Sequence, residues 1–181
     1  MSEDFPPSRI LDVAPEHMTA AQQAGVAALL AGRGRLLAPY RIWLHSPGLM
    51  RAMEQLGTFL NKQSSLTERE VELGICLAAH HWAGDYVFES HARRCLDLGF
   101  PPAVIAAIRD DLVPDLPDER ERMVHEIVRL AGQKGAGPDA GFDAAVATLG
   151  RDGLAEVICL VGYYSAVAIG MKLHRVPSQK R

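Results

Sequence analysis

Apolar residues recur along this chain at intervals of three and four, and no stretch between turn signals alternates apolar and polar residues with a period of two. The pattern predicts helices throughout and no sheet. Thr19, with Gln22 three positions on, makes a capping-box opening for an alanine-rich helix running to about Leu30, where Gly32 and Gly34 stop it. Residues 41–47 read as a loop with Tyr40 and Trp43 as aromatic anchors. From Gly48 to about Asn61, Leu49, Met53, Leu56, Phe59 and Leu60 keep helical spacing. Thr67 and Glu70 form a second capping box, and the helix they open carries Val71, Leu73, Ile75 and Leu77 with small Ala78 and Ala79, which suits burial on most sides.

A partner helix is expected from about Asp85 to Leu98, stopped by Gly99 in the position favoured for a left-handed cap, and Pro101 and Pro102 open a short third one. After a loop at 113–117, Met123, Ile127 and Leu130 mark a helix from about Asp118 to Ala131, and residues 132–138 are a glycine-rich break. Phe142 to Leu149 reads as a short helix. The stretch from Gly153 to Leu173 is apolar around most of its circumference, the mark of a core helix. The chain is therefore expected to be all-α, a bundle of about six to eight helices.

Composition narrows the picture. With 181 residues, 48% of them hydrophobic, the chain can bury one sizeable core without staples, so residues 18–181 are expected to form a single domain. Residues 1–17 contain Pro6, Pro7 and Pro15 with little periodicity and suggest an extended arm, which in an oligomer could lie on a neighbour. The 22 acidic and 19 basic residues are scattered, giving a formal charge of -3 and no basic block for nucleic acid. No window approaches the roughly 20 uninterrupted apolar residues of a membrane span, and no leader pattern stands at the N-terminus, so a cytoplasmic location without membrane attachment is expected. Cys76, Cys95 and Cys159 are far apart, odd in number and set within apolar helical patterns, which disfavours a disulfide framework. Zinc-type ligand spacing is absent, so no metal site is expected.

Candidate chemistry concentrates in one place. Glu72, His80, His81 and His91 bracket a turn between two apolar helices, where desolvation and mutual contact adapt titratable groups to acid or base work. Adjacent helical residues diverge by about 100°, so only one of His80 and His81 can share the face of Glu72. Glu72 could instead complete its helical turn or pair with Arg69. Trp82, Tyr86 and Phe88 could shape an apolar pocket or serve as core and interface residues, and Tyr163 and Tyr164 pose the same choice in the last helix.

The run ELGICLAAHHWAGDYVFESHARRCLDLGFPPAVI resembles the signature helix pair of the carboxymuconolactone decarboxylase and alkyl hydroperoxidase D-like superfamily. RIWLHSPGLM and LTEREVELG upstream, and LVGYYSAVAIGMKLHRVP near the C-terminus, are similar to what the decarboxylase-like branch carries in the same order, so the resemblance spans about Arg35 to Pro177. In the peroxidase branch a glutamate, a Cys-x-x-Cys pair and a histidine four residues further on form a proton relay around a reactive dithiol. The glutamate falls on Glu72 and the histidine on His91, while the cysteine positions fall on Gly84 and Val87. Dithiol peroxidase chemistry at those positions is thereby lost.

The resemblance instead implies the decarboxylase-like branch, which removes carbon dioxide from a carboxylated γ-lactone in aromatic catabolism without metal or organic cofactor. On that reading His91 donates the proton, His80 or His81 binds the substrate carboxylate or lactone oxygen, Glu72 orients a histidine, and Trp82, Tyr86 and Phe88 wall the pocket. The alternatives are a noncatalytic ligand-binding relative and, third, a hydroperoxidase using a displaced thiol such as Cys76 or Cys95. The resemblance also implies self-association as a homotrimer or homohexamer.

Overall fold

The computed structural model describes residues 7–135 and 139–178; the first six residues of the expected arm and residues 136–138 of the glycine-rich break lie outside it. Among the described residues there are eight α-helices and no strand: α1 (Ala20–Arg33), α2 (Ala38–Trp43), α3 (Pro47–Lys62), α4 (Glu68–His81), α5 (Asp85–Asp97), α6 (Pro102–Arg109), α7 (Glu119–Ala131) and α8 (Asp139–Leu173). Both capping boxes form. The Thr19 N–H donates to Gln22 Oε1 (2.9 Å) and the Thr67 N–H to Glu70 Oε2 (2.8 Å), each returned by the backbone N–H three residues on. Gly34 (φ 71°) follows α1 and Gly99 (φ 83°) follows α5, in the left-handed conformation that closes a helix without a Cβ penalty.

Two elements depart from the expectation. Residues 38–43, of which 41–43 fall in the expected loop, form α2, whose Pro39 occupies a first-turn position where its missing N–H costs nothing. Six residues are too few for a 3.6-residue period to show; burial of Tyr40 and Trp43 supports the turn instead. The two expected C-terminal helices run on as α8, broken at Gly150 (φ 77°, ψ 170°).

The described part of the arm lies on its own chain. The Arg9 N–H donates to the His174 carbonyl (2.8 Å), His45 Nε2 meets the Leu11 carbonyl (2.9 Å), and Arg41 holds the Asp12 carboxylate (Nε to Oδ1, 2.7 Å).

The centre of the molecule is α4, packed between α5, α7 and α8, with Leu73, Ile75 and Cys76 fully buried. A Cβ at Gly74 would stand 2.7 Å from Leu160 Cδ2, so glycine lets α8 approach closely. By length and composition α8 could cross a bilayer. Here Val157, Leu160, Tyr163, Tyr164 and Val167 on it are buried in the core, which accounts for much of its apolar character.

Two crossed ion pairs lock α4 to α7. Arg69 donates from Nε to Glu121 Oε1 (2.6 Å), and Arg120 donates from Nε to Glu70 Oε1 (2.6 Å), so neighbouring residues on each helix exchange partners. Both carboxylates are buried. A buried carboxylate stripped of its cation is costly. Arg120→Ala, which leaves Glu70 with only its capping partner, should lower the urea midpoint by an amount corresponding to about 2 kcal/mol; an unchanged midpoint would show that the crossed pairs do not stabilise this packing.

Candidate active site

Helices α4 and α5 are joined by a turn at residues 82–84, and the left-handed Ala83 (φ 50°) reverses the chain so that they pack side by side. That packing brings His91 of α5 against Glu72 of α4, with Nδ1 2.6 Å from Oε2. A carboxylate only accepts, so the ring nitrogen carries the hydrogen and His91 is held as the Nδ1–H form toward Glu72. Glu72 is 6% exposed, and its other oxygen, Oε1, takes Arg94 Nη1 at 3.0 Å. One buried carboxylate thus serves a histidine and an arginine at once. Nε2 of His91 has no hydrogen-bond partner among the described residues.

His91 lines a cavity of about 520 Å³ between α1, α2, α3, α5 and α8. Tyr164 packs edge-on against the imidazole at a centroid distance of 5.4 Å, and its hydroxyl donates to Asn61 Oδ1 (3.2 Å). Asn61 is itself anchored, donating from Nδ2 to the Gly57 carbonyl (2.8 Å). This edge-on contact and the hydrogen-bond chain behind it help hold the histidine in place.

The far wall is a second polar network. The Tyr40 hydroxyl and Arg33 Nε both donate to Glu54 Oε2 at 2.7 Å, and Thr58 donates to Oε1 at 2.9 Å. Burial pushes Glu54 upward, but the bonds from Tyr40, Arg33 and Thr58 outweigh it and hold the carboxyl below its ordinary value. Burial pushes the hydroxyls of Tyr40, Tyr163 and Tyr164 above theirs, so all three stay neutral hydrogen-bonding groups at working pH. A Cβ at Gly57 would fall 2.4 Å from the Tyr163 hydroxyl; glycine makes the space that this tyrosine occupies.

Charge distinguishes the cavity. Arg33, Arg35, Lys62, Arg93 and Arg94 line it, against Glu89, which is paired with Arg109. Arg33 and Arg94 are paired with Glu54 and Glu72; Arg35, Lys62 and Arg93 have no carboxylate in ion-pair range among the described residues. A concave site with surplus positive charge favours an anionic ligand.

Of the residues singled out in sequence, the fold brings Glu72, His91, Tyr86, Tyr163 and Tyr164 to this site. His80 turns toward α6 and the loop after it, with Nε2 2.8 Å from Asp111 Oδ1 and its ring near Phe88. His81 is exposed and packs over Gly132 and Trp82. Neither lines the cavity. Trp82, 40% exposed, donates from Nε1 to Ser165 Oγ (2.7 Å), and Phe88 is buried beneath Arg109. Sequence reasoning missed Arg94, Arg93, Asn61, Tyr40 and the Arg33–Glu54 wall. None of these residues carried a signal in the sequence that pointed to the site.

No protein-family model and no curated protein matches the chain. Solved structures do. An alkylhydroperoxidase AhpD core from Ralstonia eutropha, an uncharacterized peroxidase-related protein, superposes with a TM-score of 0.75 at 15% identity, covering 97% of this chain and 94% of that one. A peroxidase-related protein from a Silicibacter species gives 0.74 at 12%, covering 97% and 93%. A debrominase in complex with 2,3,4-tribromopyrrole gives 0.70 at 10%, covering 97% and 94%. The chain has the AhpD-like fold.

The two positions to which the sequence resemblance assigns a dithiol are filled by packing. A Cβ at Gly84 would stand 2.5 Å from Ala168 Cβ and 3.0 Å from its Cα, so α8 closes over the turn, and Val87 is buried beside it. Restoring the pair with Gly84→Cys and Val87→Cys should cost about 1–3 kcal/mol through overpacking, read as a lowered thermal midpoint, with no gain in peroxide consumption. A stable double variant that consumes peroxide would contradict this packing. For the far wall, the lowered folded value of Glu54 means that its contribution is fully present above the ordinary carboxylate range and is lost as pH falls through the lowered value. Glu54→Gln should flatten the acid limb of a plot of thermal midpoint against pH; an acid limb identical to the parent's would remove Glu54 from that role.

Proposed function

We propose that the cavity is the active site of a cofactor-independent lyase that decarboxylates a small carboxylated lactone or related ring-derived acid, with His91 as proton donor. The observation that carries this reading is the His91–Glu72 pair, whose free Nε2 opens into a cavity with more cations than carboxylates. The debrominase of the same fold holds a small five-membered ring, which supports a substrate of that size here.

Decarboxylation breaks the bond between a ring carbon and its carboxylate, leaves the electron pair on the ring, and requires one proton to finish. Cationic side chains at the cavity, Arg94 among them, bind the acid groups of the substrate. The conjugated lactone takes up the electron pair, and its developing oxyanion is met by neutral hydroxyl donors such as Tyr163 in a partly desolvated site. His91, protonated on both nitrogens, delivers the Nε2 proton to carbon while Nδ1–H stays bonded to Glu72. Glu72 fixes the ring and compensates its charge, so it acts as a positioning residue. His80, bonded to Asp111 outside the cavity, takes no part in this scheme.

The test is ultraviolet-monitored turnover of 4-carboxymuconolactone by the purified protein, beside His91→Ala and Glu72→Gln. Loss of a general acid removes about 100-fold or more of the rate, and Glu72→Gln should cost less, since it keeps the ring in place but withdraws the charge. Turnover that survives in His91→Ala would overturn the assignment of the acid. Saturable binding of the lactone without turnover in any form would replace the enzyme with a ligand-binding protein.

A further inference from the structure

The acid/base scheme leaves two thiols unused, and the fold sets them side by side. Cys76 on α4 and Cys95 on α5 are both 0% exposed, and their sulfurs stand 3.7 Å apart. Cys76 follows Glu72 by one helical turn, and Cys95 follows His91 by one turn. The sulfur contact therefore ties the same two helices that the His91–Glu72 bond ties. Cys159 lies exposed on α8 and has no part in the pair.

A disulfide needs its sulfurs at about 2.05 Å with a dihedral near 90°, so the two must close by less than the width of an atom. Side-chain rotation with a small approach of α4 to α5 can supply that closure, because the helices are already joined by a short turn. The thiol contact to Cys95, followed by burial, pushes the Cys76 thiol well above its ordinary value. Cys76 thus keeps its hydrogen in the resting protein.

We propose that Cys76 and Cys95 are a site of reversible disulfide formation that cross-links α4 to α5 beside the cavity. With a small hydroperoxide as oxidant, one of the two sulfurs attacks one oxygen, the O–O bond breaks, and a sulfenic acid forms with release of water or an alcohol. The other sulfur then displaces the sulfenic hydroxyl as water, and the S–S bond closes. Two thiol hydrogens and two electrons pass to the peroxide, and a thiol reductant reverses the change. Full burial makes this a slow, stoichiometric modification, one event per chain. The cross-link draws α4 and α5 together where Glu72 meets His91, so it also acts on the geometry of the cavity.

The experiment uses the full chain carrying Cys159→Ser, which removes the exposed thiol. The folded protein is treated with hydrogen peroxide, quenched, unfolded, alkylated and weighed intact and as tryptic peptides. The expected result is a mass lower by two hydrogens, no alkylated cysteine, and a linked pair joining residues 70–93 to 95–109 that dithiothreitol separates. Full alkylation of both cysteines after treatment, or a gain of oxygen without cross-linking, would overturn the proposal. A linked pair formed only when peroxide is added to unfolded protein would overturn it as well. If Cys159→Ser fails to fold, the parent chain with Cys159 blocked by iodoacetamide before oxidation gives the same readout.

Discussion

Glu72 is a carboxylate with almost no access to water, and a buried charge survives only where partners replace its hydration. It has two. His91 takes one oxygen and Arg94 the other, both from α5, so satisfying the charge requires α4 and α5 to lie in one register. Register then decides the rest of the site. It presents Nε2 of His91 to the cavity, sets Tyr164 of α8 against the imidazole, and carries Arg93 and Arg94 to the cavity edge.

The same principle recurs on the other faces of α4. Glu70 and Glu121 are buried and each meets an arginine from the opposing helix. On the far wall, Glu54 gathers Arg33, Tyr40 and Thr58 from three elements. These ionised groups add little net energy against well-packed apolar residues of the same size, but each is expensive to break, which makes them selective for one arrangement of helices. Close approach completes the selection: Gly84 lets α8 pack against the α4–α5 turn at a backbone distance a Cβ would not allow, and Gly74 leaves room for Leu160 of α8 against α4.

At 84 and 87, where the resemblance would put a dithiol, more differs than two reactive atoms. Ala168 fills the space next to Gly84, so redox chemistry at that place is closed by shape as well as by composition. The carboxylate–histidine pair faces a cavity whose surplus charge is positive. On the proposed reading, a proton donor and a cationic lining coincide there, which is the pairing a decarboxylation of an organic acid requires.

Local information sufficed for the helices whose signals are local. The capping boxes at Thr19 and Thr67, the left-handed stop at Gly99 and the apolar periods of α3, α4, α5 and α7 were all readable in the chain, because each depends on residues within a turn or two. The short α2 was not readable, since tertiary burial of Tyr40 and Trp43 sustains it rather than a periodic face. The juxtaposition of Glu72 with His91 rested on resemblance, and the residues could not supply the distance. Sequence placed three histidines and a glutamate near one turn; only packing separated His80 and His81, which point away from the cavity, from His91, which points into it. A helix carries its side chains around a full circle, so nearness in sequence leaves direction open until a neighbouring helix covers one side. The cationic lining, drawn from α1, α3 and α5, and the contact of Cys76 with Cys95 were likewise decided by tertiary structure, since each joins residues that no local rule relates.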